Sequence, residues 1–181
     1  DYEAMMATNA KMQRWAELMP DNIRMSMHRM PSARSNALPS PDHPNGYWDG
    51  DEAYIEFEAL TPGRLVIFDM APDGKLAKLY PAGRPYEDVR AASSAAPSGG
   101  RLPPTGGFYT KPPFGKGSLV AILSPAWADL DLRDITLRRA DDPSSHILDE
   151  LTLALEDIRN TSNFDGWGMA FVEYQIQPSP N

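Results

Sequence analysis

Three histidines, His28, His43 and His146, are the candidates for proton exchange near neutral pH. None stands four residues from another or within a recognisable zinc-ligand cluster, so the spacing offers no zinc motif. Ser145 precedes His146, but a nucleophile and its base meet through the fold and not through sequence adjacency. No Gly-x-Ser-x-Gly elbow is present. Carboxylates recur two apart in Asp49-Gly50-Asp51-Glu52 and Asp129-Leu130-Asp131, and Asp69 and Asp73 flank a turn. Calcium favours such oxygens, yet the EF-hand spacing with its terminal bidentate glutamate is missing. Asp-Gly pairs also arise simply because both residues tolerate turn geometry. A glycosidase would need two carboxylates facing across a sugar, with Trp48, Trp127 or Trp167 as a stacking platform. Phe114-Gly115-Lys116-Gly117-Ser118 has the residue types of a phosphate loop in the wrong order, ahead of a strand and not a helix. With no cysteine in the chain, thiolate nucleophiles, thiolate metal sites and disulfides are excluded. The residues thus point to a domain without catalytic machinery and without a cofactor or metal.

The elements that would position these residues are mostly strands. Residues 53–59, Ala-Tyr-Ile-Glu-Phe-Glu-Ala, alternate with Ile55 and Phe57 inward and the glutamates outward. Residues 64–68 form a short apolar run expected to be buried on both faces. Ala71-Pro72-Asp73-Gly74 is a tight turn, and residues 76–80 return as a third strand. A long connection of small residues covers 82–107. Residues 108–110 read as a short edge strand, 118–123 as a second fully apolar strand, 135–137 as another, and 169–176 as the last, with Val172, Tyr174 and Ile176 on one side. Between them Asp142 as N-cap and Pro143 at N1 open an amphipathic helix carrying Ile147, Leu148, Leu151, Leu155 and Ile158 on one face.

Residues 2–18 read as a further helix, stopped by Pro20, with Met5, Met12, Trp15 and Met19 along one stripe. The stripe is either an adaptable partner-binding face or core contact with this chain or with a part of a larger protein. Residues 21–45, with Met25, Met27 and Met30 and four later prolines, read as loop or linker. The expected organisation is a helical and loop extension over 1–45 followed by a β-rich domain over 46–181. The expected fold is mainly β, an antiparallel sandwich or partly open barrel with one packed amphipathic helix and a helical N-terminal extension. Met5, Met12, Trp15, Met19, Trp48 and Trp127 form the candidate interaction surface.

The net charge of −8 disfavours nucleic acid as the main ligand. The basic stretches at 24–34 and 137–139 are short and read as solvated faces or internal pairs. No stretch approaches the ~20 apolar residues of a membrane helix. The start at Asp1, without a methionine or a signal-peptide pattern, leads to the expectation of a processed product or a segment of a longer chain.

Gly63-Arg64-Leu65-Val66-Ile67-Phe68-Asp69-Met70-Ala71-Pro72-Asp73-Gly74-Lys75-Leu76, closing on Tyr80-Pro81, resembles an uncharacterised bacterial β-rich domain family. Asp49-Gly50-Asp51 with its following strand looks like that family's opening. Pro113-Phe114-Gly115 running into Leu119-Val120-Ala121-Ile122-Leu123-Ser124 looks like its closing strand. The resemblance covers about residues 47–125, whereas residues 129–181 depart from the pattern. Such domains often lie C-terminal to caspase-like peptidase domains. The resemblance therefore implies a non-catalytic accessory or interaction domain, its partner a caspase-like peptidase of the same parent chain; the compartment, bacterial cytoplasm or periplasm, is left open by the sequence. The alternative is a ligand- or glycan-binding sandwich module using the tryptophans and the 82–107 connection.

Overall fold

The computed structural model describes residues 2–30, 45–81, 86–89, 99–125, 153–160 and 163–178. Helix α1 (Tyr2–Leu18) leads into β1 (Ile23–Arg29), β2 (Gly46–Trp48), β3 (Glu52–Ala59), β4 (Gly63–Met70) and β5 (Leu76–Tyr80). Strands β6 (Glu87–Val89), β7 (Gly99–Leu102), β8 (Phe108–Tyr109) and β9 (Gly115–Ser124) follow. Residues 153–160 are helical (α2), and β10 (Gly168–Gln177) is the last strand.

Two sheets result. A four-stranded sheet runs β1-β3-β7, with β8 also on β3; a six-stranded sheet runs β2-β10-β9-β4-β5, with β6 also on β4. Among the described residues every pairing is antiparallel except β2 with β10, which run parallel. The sheets stay separate and face each other, which makes the fold a sandwich.

Period-two geometry explains why β4 and β9 lack alternation: alternate side chains leave opposite faces of a strand. Leu65 and Ile67 of β4, with Ala121 and Leu123 of β9, pack between the sheets against Ile23, Phe57 and Ala59. Val66, Phe68 and Met70, with Val120 and Ile122, face the other way, onto Met12, Trp15, Met19, Leu155, Phe164 and Trp167. The six-stranded sheet is therefore the middle layer, with the smaller sheet on one side and the helices on the other. Trp15 meets Phe164 edge-on with ring centroids 5.6 Å apart, a geometry that aligns the positive ring edge with the negative face. The helix also has a polar anchor where Ser118 Oγ donates to Asn9 Oδ1 at 3.0 Å, both residues being buried.

Three segments differ from the sequence expectation. Ile23–Arg29 is a strand paired along its whole length with β3, from Ile23 opposite Ala59 to Arg29 opposite Ala53. Ile23, Met25 and Met27 do alternate, but methionine carries little strand preference, so pairing with β3 decides the conformation. Within the 82–107 connection, β6 and β7 form because β4 and β3 offer them open edges. Gly46–Trp48, not read as a strand from the sequence, pairs with β10 before the turn at Asp49-Gly50. The expected strand at 135–137, and the helix positions Ile147, Leu148 and Leu151, lie outside the described residues.

Candidate functional site

The two sheets part at one end of the sandwich and leave a cleft of about 780 Å³. Met27, Ile55, Leu102, Phe108 and Tyr109 wall it on the small sheet, and Asp69, Leu79, Leu119, Tyr174 and Ile176 on the large one. Its rim is Ala71-Pro72, Pro103-Pro104 and Thr110-Lys111-Pro112-Pro113. Proline lacks an amide hydrogen and cannot extend a ladder, so these segments end the pairing that would otherwise close the gap.

The rim is held from below. Thr110 Oγ1 donates to the Trp48 carbonyl at 2.8 Å, and its amide donates to the Asp51 carbonyl at 2.8 Å. Asp51 in turn takes the Arg29 guanidinium at 2.7 Å and the Trp48 amide at 2.9 Å. The Asp49-Gly50-Asp51 turn is thus an anchor joining β1, β2 and the rim, with the Asp51 carboxylate at its centre. Nearby, burial pushes the Tyr47 hydroxyl up to about 12, with Arg29 pulling against the shift and Asp51 adding to it.

One carboxyl stands in this apolar wall. Asp69 follows Leu65 and Ile67 at two-residue spacing and so faces the inter-sheet space. Tyr174 Oη donates to Asp69 Oδ1 at 2.6 Å, reaching from β10 across β9 to β4. Gly117, directly opposite Tyr174, permits that reach, because a Cβ there would fall inside the tyrosine ring. Burial raises the Asp69 carboxyl above its ordinary value; the Tyr174 hydrogen bond opposes this, and Asp73 reinforces it. Burial, followed by the charge of Asp69, pushes Tyr174 strongly upward, so its phenol stays protonated as a donor.

The residues singled out from sequence fall elsewhere. Met12, Trp15 and Met19 are 1%, 7% and 6% exposed and lie in the chain's own core. The side chain of Met5, and all of Trp127, Asp129, Asp131, His43 and His146, lie outside the described residues. Trp48 is half-buried beside the rim anchor, and Trp167 is fully buried. Trp15 and Trp167 therefore present no face to a sugar. His28 lies on the outer face of the small sheet, stacked on Tyr54 with ring centroids 5.0 Å apart. Its Nε2 meets both Ser26 Oγ at 2.7 Å and Glu56 Oε2 at 3.3 Å. A triad needs the acid on one ring nitrogen and the nucleophile on the other, and here both partners share one. Among the described residues Asp69 is the single carboxylate lining the cleft, one short of a glycosidase pair, and no cluster of three metal-ligating side chains occurs.

Two signals for the cleft were present in the sequence: an aspartate in phase with Leu65 and Ile67, and the aromatics Phe108 and Tyr109 set between Pro103-Pro104 and Pro112-Pro113. Residues 63–76, which carry the family resemblance, form β4, its turn and the start of β5. No protein-family model, curated protein or solved structure matches the chain.

Proposed function

We propose that this chain is a non-catalytic accessory domain that holds a segment of a partner protein in the inter-sheet cleft. The observation that carries this reading is the cleft itself, about 780 Å³ of largely apolar space under a proline rim anchored to β1 and β2. Tyr109, 68% exposed at the mouth, gives a partner an aromatic surface to dock on. The family resemblance over 47–125 supports a caspase-like peptidase of the same parent polypeptide as that partner.

A photo-cross-linker placed by Tyr109→p-benzoylphenylalanine tests it. Within the parent polypeptide, illumination should join position 109 to a peptide outside residues 1–181, and removing this domain should change peptidase activity or the set of bound partners. Cross-links confined to this chain, with activity and partners unchanged, would overturn the proposal. A second reading has its own support, since the cleft volume lies in the range of small-ligand sites. Competition of the cross-link by a small apolar compound from a cell extract would favour it.

A further inference from the structure

Resting on the reading of the cleft as a binding site, we propose that its occupant is an extended partner segment presenting a lysine between apolar residues, the ammonium seated on the Asp69 carboxylate. Asp69 lines the cleft and holds one hydrogen bond, from Tyr174. Among the described residues no lysine or arginine forms an ion pair with it.

While the cleft is open, the half-buried carboxylate keeps part of its hydration. An occupant that seals the cleft removes the water, and the charge then requires a partner. A purely apolar segment would strand it, and an acidic one would add repulsion, so the site selects against both. Lysine suits it better than arginine. Tyr174 already occupies one carboxylate oxygen, which weakens the two-oxygen fork that arginine prefers, whereas an ammonium is a point charge. The four-carbon stem of lysine can lie along Met27, Ile55 and Leu119 while its head reaches the acid. The net charge of −8 draws basic segments toward the molecule as a whole.

The groups around Asp69 are the Tyr174 phenol and Asp73, with Lys111 on the rim. Burial holds the carboxyl above 3.8, so its charge, and with it the lysine preference, fades on acidification sooner than an ordinary aspartate would allow.

The test is fluorescence anisotropy on the full chain with blocked peptides Gly-Pro-Leu-Lys-Leu-Pro-Gly carrying a neutral dye, and the same peptide with norleucine or glutamate at the centre. The lysine peptide should bind about tenfold or more tighter than the norleucine peptide, as expected for a desolvated charge pair. The glutamate peptide should bind more weakly than both. Asp69→Asn should erase the lysine advantage by weakening lysine binding, while norleucine binding stays the same or tightens, since the charge that an apolar occupant would strand is gone. Equal binding of the lysine and norleucine peptides, or a lysine advantage that survives Asp69→Asn, would overturn the inference and leave the cleft reading standing. Binding of neither peptide would overturn both. A cooperative thermal transition at or above that of the parent protein establishes that the variant is folded.

Discussion

Gly117 and Tyr174 are coupled residues whose significance lies in what the glycine lacks. The phenol crosses the bare backbone of β9 to reach Asp69, and an added methyl group would lie in its path. Gly117→Ala should therefore cost about 1–3 kcal/mol by overpacking, read as a lower urea midpoint at unchanged slope. In a Tyr174→Leu background the same substitution should cost less, because the ring it strikes is gone. Equal costs in the two backgrounds would mean that the glycine is needed for some other reason. Asp69 makes a separate prediction about pH. Its folded pKa lies above the ordinary 3.8, mainly through burial. Above the folded value the carboxylate is charged in both states and sits in the costlier place when folded, so it subtracts from stability. As pH falls through the folded value the native state takes up its proton first, and the penalty is removed by the time pH reaches 3.8. Asp69→Asn should thus be as stable as the parent or more so at pH 7, and the gap should close toward pH 4 in paired denaturation curves. A gap that widens in acid would show that the Tyr174 bond, and not burial, dominates the site.

At the scale of elements, α1 is part of the core. Trp15 packs on Phe164 and belongs to the cluster that covers the helix side of β4, β9 and β10. Trp15→Ala should accordingly cost about 3–5 kcal/mol in chemical denaturation. A loss below about 1 kcal/mol would mean that the helix docks loosely and that its stripe is free for a partner. The same scale separates what the sequence makes legible from what it does not. Strands β3, β4 and β9 are legible because burial on one face or on both writes an alternating or continuous apolar pattern. β6 and β7 are not, because Glu87-Asp88 on β6 and Gly99-Gly100 on β7 carry no such signature, and on β1 the alternation of Ile23, Met25 and Met27 with Arg24, Ser26 and His28 is weakened by methionine's small strand preference. Their conformation comes from edges supplied by distant strands. The cleft is harder still to foresee. Asp69 and Tyr174 lie 105 residues apart, and their meeting depends on the order β10-β9-β4, which no local pattern specifies.

For the molecule as a whole, the layer order dictates where rigidity and binding reside. The six-stranded sheet is covered on both faces, by helices on one side and the small sheet on the other. Its central strands β9 and β4 have partners on both edges, with β9 between β10 and β4. The small sheet is covered on its inner face by this packing, and its β7 and β8 pair only with β3 among the described residues. Local opening should follow that difference, since amides exchange from the least buried, least paired segments first. Hydrogen-exchange mass spectrometry should find the slowest exchange in peptides from 63–70 and 115–124 and faster exchange over 99–109. The binding reading adds a condition. An occupant bridging the two sheets at the cleft ties Phe108 and Tyr109 to Leu119 and Tyr174, so it should slow exchange at 99–109 far more than at 115–124, where opening is already rare. A lysine peptide that protects 99–109 in the native protein but not in Asp69→Asn would place the contact in the cleft. Protection confined to the outer face of β1 and β3 would move the binding surface to the His28–Tyr54 side and away from the space between the sheets.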